Sequence, residues 1–572
     1  MPLARISALL LALLLAACTP GAAPPAAPAR QAGAPEQPRA RTRFVVAVMS
    51  EPASLANIKT NPRGTIGNLA GIDELVALVH VGLAAADDAG VLRPVIAEAV
   101  PSIENGLWRL LPDGRMETTW RIRPDAQWHD GTPFTAADLL FTLQVEQDRG
   151  VPFGRMAPLA LVEGIEAPDP RTVTVTWKQP FVEADTLFTE TLSLAMPKHL
   201  LEESYLQDKE NLINVPYWHE GFIGTGPFKV KSWTSGSQVL LEANDRYVLG
   251  RPKIDELEVK FVADPNTLIA NILAGTVELN MGRGLDIEQG LKAREQRPDL
   301  KLMTGPGGWM QIYPQFLNPS PAIVADVRFR RALFHAIDRQ EIVDTIQAGL
   351  APVAHSFVRQ DWPEWRDVES STVMYEHDPR RAAQLIGELG YTRGADGMFR
   401  DSSAQPLAIE MRTTAQFQVQ TKTLFPVAAY WQGVGVSVDS VVVPIQRITD
   451  REYRANFPAF ELITAGNTLT STRVKLFHSS NTARAENGYQ ANGNYARYVN
   501  PAFDAMLDRF AAAIPRAERM QALAQIVQHQ TENLTLLPLF HAVNPTITSE
   551  RASGFKPGVG NIPWNAHEWN VT

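Results

Sequence analysis

The chain has 572 residues, 53 Lys+Arg against 62 Asp+Glu for a net charge of −9, and a single cysteine. That length exceeds one core of ~150 residues, so two or more packed lobes are expected. With 45% hydrophobic and 20% charged residues the composition is that of an ordinary globular protein, which excludes disorder for most of it. Mild acidity without a long basic run argues against nucleic-acid binding, and one cysteine excludes an intramolecular disulfide framework or a Cys-rich metal site.

The N-terminus reads as an address. One positive charge in Met1–Arg5 precedes an apolar run from Ile6 to Ala17. The run is too short for the ~20 residues of a membrane span and suits the core of a signal peptide. It ends Leu15-Ala16-Ala17-Cys18, which resembles the lipobox of bacterial lipoproteins. The resemblance implies removal of residues 1–17 and lipidation of Cys18; the plain alternative is a signal peptide cleaved after Ala17 or near Ala23, with an incidental cysteine. From Thr19 to about Arg41 the chain is mostly Pro, Ala, Gly, Gln and Arg. It cannot bury enough surface to fold, so residues 18–41 are expected to be a tether.

Beyond residue 42, strands and helices mix. Arg43–Met49 is a short apolar strand running into the turn-like Ser50-Glu51-Pro52. Thr135 with Asp138 forms a capping box ahead of Leu139, Leu140 and Leu143. Thr172–Trp177 alternates with period two and predicts a half-buried strand. Lys229–Trp233 and Val239–Ala243, around Ser235-Gly236-Ser237, predict a hairpin. Asp378-Pro379 opens a helix with Ala382, Leu385, Ile386 and Leu389 on one face, closed by Gly390. Asn500-Pro501 opens another through Phe503, Met506, Leu507 and Phe510, and Met520, Leu523, Ala524 and Val527 continue the pattern. Tryptophans such as Trp108, Trp120 and Trp233 lie in strand-like stretches and are read as packing residues.

No catalytic pattern emerges. The 11 histidines form no His-Glu-x-x-His, and neither a Gly-x-Ser-x-Gly elbow nor a phosphate-binding Gly-Lys-Ser/Thr loop is present. Gly433-Val434-Gly435 lacks the third glycine of a dinucleotide fingerprint and is read as a turn. The expectation is a chain that is not an enzyme, with no cofactor and no metal site.

Several segments, in order, carry a family resemblance. Trp120-Arg121-Ile122-Arg123 is followed by Trp128-His129-Asp130-Gly131-Thr132-Pro133-Phe134-Thr135-Ala136-Ala137-Asp138, and later by Gly224-Thr225-Gly226-Pro227-Phe228, Asn244–Tyr247 and Gly250-Arg251-Pro252. Then come Leu273–Glu278, Asp326–Leu333 with Ala336–Arg339, the helix ending Leu389-Gly390-Tyr391, Asn494–Asp504 and Leu537-Pro538-Leu539. Together they resemble family 5 of the solute-binding proteins of bacterial ABC importers, the oligopeptide, dipeptide and nickel-binding group. The resemblance implies an α/β, periplasmic-binding-protein-like two-lobed fold (class II, family 5 type) with an additional inserted domain. Lobe I would comprise 42–72, 218–303 and 545–572, the inserted domain 73–217, and lobe II 304–544. A ligand would lie in the cleft between the lobes. The implied partners are a small solute, an ABC permease with its ATPase, and a membrane reached through the lipid anchor; a monomer is expected. A sensor or chaperone-like lipoprotein of the same fold, binding a protein partner, is the alternative.

The resemblance breaks at one informative place. Peptide-binding members carry a Trp-x-x-Asp-like stretch whose carboxylate holds the ligand's α-amino group. The corresponding region here is Ala465-Gly466-Asn467-Thr468-Leu469-Thr470-Ser471-Thr472, with neither residue. Gly466, Asn467 and Thr468 therefore suit a neutral, polyhydroxy or amide-bearing ligand, with Glu461 or an acid elsewhere as the substitute for the missing carboxylate. Arg412 lies near where some members grip a ligand carboxylate. Met49, Ser50 and Glu51 at the exit of the first strand, and Trp309 and Tyr313 after Gly305-Pro306-Gly307-Gly308, complete the candidate contacts.

Overall fold

The structure is a computed structural model describing residues 41–572 except 57–58, 60–71, 155, 283, 416, 467, 491–492 and 558–562. Cys18, the apolar run and nearly all of the tether lie outside the described residues.

A ten-stranded mixed sheet forms the frame. Numbered along the chain, its strands are β1 (Arg43–Val48), β2 (Phe228–Thr234), β3 (Gln238–Ala243), β4 (Glu256–Phe261), β5 (Leu279–Asn280), β6 (Lys301–Pro314), β7 (Ala408–Thr414), β8 (Ser437–Val443), β9 (Phe460–Ala465) and β10 (Leu537–Thr548). Their spatial order is β8-β7-β9-β6-β10-β5-β1-β4-β3-β2. β1 lies parallel to β4 and β5, and β7 parallel to β8 and β9. Both faces of β1 are covered: Phe44, Val46 and Val48 enter one core and Ala47 another, which explains why this strand is almost uninterrupted apolar sequence.

The two-lobed arrangement follows from the cores. β1 to β5 carry the apolar clusters of lobe I, joined by Trp569 and Val571 from the C-terminal return. The sheet of β6, β7 and β9 carries a core on each face in lobe II. A separate four-stranded sheet, Trp108–Leu110, Met116–Arg121, Thr172–Trp177 and Val162–Asp169 in that order, holds Trp120, Trp128 and Trp177 in a third core. The inserted segment is not isolated, because Phe141, Val145, Leu194, Met196 and Tyr205 belong to the core of lobe I.

The family segments act as fasteners. His129 accepts the Gly224 N–H on Nδ1 (3.1 Å) and donates from Nε2 to the Gly226 carbonyl (3.1 Å), tying the Trp128–Asp138 segment to Gly224–Phe228. Gly224 and Gly226 leave no room for a side chain, since a Cβ at either would collide with the Val79 backbone at the end of the helix Ile72–Val79. Gly131 sits in the left-handed region at φ +92°, as the Asp130-Gly131 turn requires. Asp378 and Asn500 cap the helices they open, as expected, and Asp326 and Asp338 cap theirs as well, each accepting a first-turn N–H at 2.8–3.1 Å. Arg330 and Arg339 are buried and donate to backbone carbonyls, Arg330 to those of Val324, Asn533 and Leu534, and Arg339 to those of Ala354, Tyr375 and Pro538. Each stitches separate chain segments into one corner of lobe II.

Burial lowers His80 to about 4 and His129 to about 3. Both stay neutral when folded but become protonated in the unfolded chain below about pH 6.5. Their contribution is complete above that pH and is lost as pH falls toward the folded values, at up to about 1.4 kcal/mol per pH unit for each. Asp185, which burial pushes up to about 7, titrates in the same window with the opposite sign, so the test is a difference: from pH 6.5 to 4.5 the urea midpoint of the parent should fall relative to that of a His129→Asn variant. Parallel midpoints for the two proteins over that window contradict the assignment.

Candidate ligand cleft at the crossing strands

Among the described strands, only β6 and β10 run unbroken between the two halves of the ten-stranded sheet: one end of the pair meets β5 and the other meets β9. At 14 and 12 residues they are long enough, at ~3.3 Å per residue, to span both lobes. Their register shifts between Pro306 and Trp309, where Gly307 and Gly308 oppose Ala542 alone, and again between Met310 and Gln311. The first shift is a bulge of two residues against one, which bends and twists the strand locally. A Cβ on Gly307 would stand 2.8 Å from the Ala542 carbonyl oxygen, and one on Gly308 would stand 2.5 Å from Thr464 Cγ2 and 2.6 Å from the Ala465 oxygen. Both bulge positions are therefore glycine by necessity.

Past the bulge, the two faces of the sheet differ in chemistry. Met310, Ile312, Phe460, Leu462 and Met411 fill one core. The alternate residues Trp309, Gln311, Tyr313, Glu461 and Arg412 point the other way, because successive strand residues face opposite sides. Trp309 is buried, stacked on His541 at 6.2 Å and tilted against Phe357, which in turn meets Phe477. Tyr313 is buried beside Tyr495, and its hydroxyl accepts from Gln311 Nε2 (2.9 Å). Burial pushes the Tyr313 phenol well up, so it remains a neutral hydroxyl.

Arg412 and Glu461 are 1% and 0% exposed. Arg412 Nε lies 3.6 Å from Glu461 Oε1, while its Nη2 donates to the Tyr453 (3.0 Å) and Arg454 (2.6 Å) carbonyls. Arg454 takes the same carboxylate oxygen at 2.9 Å. Two guanidinium groups thus share one buried carboxylate, and burial lowers Arg412. Glu461 Oε2 and Gln311 Oε1 have no hydrogen-bond partner among the described residues.

The segment after β9 reaches out of lobe II. Gly466 packs so closely on Arg473 that a Cβ would collide with its guanidinium, and Arg473 Nε donates to the Gly466 carbonyl (3.3 Å). Thr468 is exposed, and Asn467 lies outside the described residues. Ser471 donates from its backbone N–H and from Oγ (2.6 Å) to Glu183 of the inserted segment. On the lobe I side, Met49 packs against Gly284 and the core under β1, and Ser50 is half-buried. Glu51 accepts from Trp233 Nε1 (2.8 Å) and from the Gly236 N–H (2.7 Å), so it clamps the β2–β3 hairpin.

Trp309, Tyr313 and Arg412 thus lie buried on one face of β6, β7 and β9 in lobe II, Gly466 and Thr468 follow the end of β9, and Met49, Ser50 and Glu51 follow β1 in lobe I. Glu183 and Arg473 were not anticipated. Arg473 had a local signal, lying three residues beyond Thr470, but Glu183 is 288 positions from its partner and had none. Among the described residues no group of three or more His, Cys, Asp or Glu could hold a metal ion, and no helix is long and apolar enough to cross a membrane.

The model of the bacterial extracellular solute-binding proteins, family 5, matches residues 98–482, which is most of the chain. The chain belongs to that family. The oligopeptide-binding protein AppA of Bacillus subtilis is 25% identical over 472 residues, covering 80% of this chain and 81% of AppA. Among solved structures, NikZ from Campylobacter jejuni in complex with Ni(L-His) superposes with a TM-score of 0.71 at 21% identity, over 92% of this chain and 99% of NikZ. The oligopeptide-binding protein of Thermus thermophilus, complexed with a pentapeptide, gives 0.68 at 22% identity, over 92% and 96%. These likenesses establish the family 5 two-lobed fold. As a family 5 member the chain is an extracytoplasmic solute-binding protein, in a family of binding proteins rather than enzymes.

Proposed function

We propose that this family 5 protein captures a peptide or other small polar solute between its lobes and delivers it to an ABC permease powered by its ATPase, acting as a monomer held at the membrane by a lipid on Cys18. The division into signal peptide 1–17, tether 18–41, lobe I (42–72, 218–303, 545–572), inserted domain 73–217 and lobe II (304–544) is part of this reading. Its strongest support is the pair of strands β6 and β10 bending at a glycine bulge between two lobes. Met49, Ser50, Glu51, Trp309, Tyr313, Arg412, Gly466, Asn467 and Thr468 are the proposed ligand positions. Within this set Arg412 and Glu51 act mainly through the residues they hold.

The ligand's character follows from charge. Arg412 and Arg454 crowd Glu461, and Arg473 stands on the segment 465–474. A free ammonium brought here meets two guanidinium groups around one carboxylate, so the cations outnumber the acid, and a buried unpaired charge costs several kcal/mol. A neutral, amide-bearing or anionic group is favoured there.

Thermal unfolding with a panel of peptides, N-acetylated peptides and metal chelates tests the reading. A ligand at ~100 times its dissociation constant adds ~2.7 kcal/mol. No shift across the panel, together with no co-purified small molecule, would overturn it. Separately, Cys18→Ser should move the protein from the membrane fraction to the soluble one; retention on the membrane removes the anchor.

A further inference from the structure

Among the described residues, two sets of side-chain hydrogen bonds tie lobe II to lobe I and to the inserted segment, and Arg519 of lobe II lies in the field of Asp185 and Glu183. In the first, Lys422 on the helix Gln418–Gly433 donates to Asp286 Oδ2 (3.1 Å) and Glu288 Oε2 (3.0 Å), at the start of the lobe I helix Ile287–Gln296. Each acid divides its oxygens. Asp286 Oδ1 caps its own helix through the Gln289 N–H (2.8 Å), and Glu288 Oε1 takes Lys292 (2.6 Å). Both carboxylates are thus held in place by lobe I and present one oxygen to the lysine. The second contact is Ser471 to Glu183 of the inserted segment, through both the backbone N–H and Oγ.

We propose that these contacts are clasps that set how readily lobe II opens, and that the Lys422 clasp makes opening sensitive to ionic strength. Rotation about Gly307 and Gly308 carries Lys422 and Ser471 together, since both belong to lobe II, away from partners that belong to lobe I and the inserted segment. The two clasps differ in their exposure. The Lys422 side chain is 36% exposed and Glu288 is 55% exposed, so counterions reach them. Ser471 is buried, and its contact is screened far less. This inference rests on the two-lobed receptor reading but not on any particular solute.

The body of the protein has no cysteine, so two spin labels can be placed without background. The full chain carrying Cys18→Ser, Gln296→Cys and Gln432→Cys places labels at exposed positions of the two facing helices. Pulsed electron–electron distance measurements without added ligand then report the ratio of open to closed molecules. Lys422→Glu should raise that ratio about fivefold or more, and Lys422→Gln about two- to fivefold, as expected for an exposed ion pair. Raising NaCl from 50 to 500 mM should open the parent and leave the Lys422→Gln variant unchanged. Ser471→Ala should open the chain at either salt concentration. Unchanged distances in both Lys422 variants, each melting as the parent does, overturn the clasp. A solute panel that fails while the distances respond to salt would instead overturn the transport reading alone.

Discussion

Replacing Glu461 by alanine should destabilise lobe II by about 3–5 kcal/mol, the cost of leaving a buried ion pair with one partner missing. The carboxylate is completely enclosed and serves both Arg412, at 3.6 Å, and Arg454, at 2.9 Å. Arg412 is packed between the rings of Tyr453 and Phe457, 4.9 and 5.2 Å from its guanidinium carbon, and cannot swing out to water. Glu461→Gln keeps the volume and an acceptor, so it should lose less. A combined Arg412→Met, Arg454→Met, Glu461→Leu variant, which removes both guanidinium partners with the carboxylate, should regain much of the stability, because apolar residues of similar size often replace buried ionic groups at no cost. The urea midpoint with an unchanged m-value is the readout. A Glu461→Ala protein within about 1 kcal/mol of the parent would show that the pair is solvated in solution.

The second large effect is on binding rather than stability. Gly308→Val places a branched side chain where even a Cβ stands 2.6 Å from the Ala465 oxygen, at the root of the segment carrying Gly466 to Ser471. That strand end must shift, and with it the wall that meets the ligand. Solute affinity should drop roughly tenfold to a hundredfold, a shift of about 1.4 to 2.7 kcal/mol. The thermal shift given by whichever panel member stabilises the parent measures it. Gly387→Ala is the matched control. Gly387 lies within the helix Pro379–Glu388 and a Cβ there meets nothing within 4 Å, so the exchange should leave binding intact and stabilise by up to about 1 kcal/mol. Equal affinity in Gly308→Val and the parent would move the hinge elsewhere.

Much of the frame was legible along the chain because its rules are local. A helix cap needs a side chain and an amide two or three residues away, so Asp326, Asp338, Asp378 and Asn500 could be assigned from spacing. The strand Thr172–Trp177 follows from period two, and its inward residues Val173, Val175 and Trp177 are the buried ones. The tryptophans read as packing residues, Trp108, Trp120 and Trp233, are all buried. The ordered motifs carried the family, because Gly224 and Gly226 are demanded by a backbone crossing that admits no Cβ.

The site was legible only as a set of residue types. Arg412 and Glu461 drew attention as possible ligand partners, yet Arg412 Nη2 and Glu461 Oε1 are engaged inside lobe II by Tyr453 and Arg454 of the helix Arg451–Ala455. Glu51 stood at a plausible position, but Trp233 and Gly236, more than 180 residues away, occupy its carboxylate.

By itself the sequence determined the alternation of strand and helix segments and, through its ordered motifs, the family. Only the tertiary structure decided that β6 and β10 carry the sheet from one lobe to the other, that their bulge lies at Gly307 and Gly308, and that Ser471 meets Glu183 and Lys422 meets Asp286 and Glu288. The division has a simple cause. Caps, turns and periodicity are settled within a few residues of backbone, whereas the partner of a charge is chosen among all 572 by how the lobes pack.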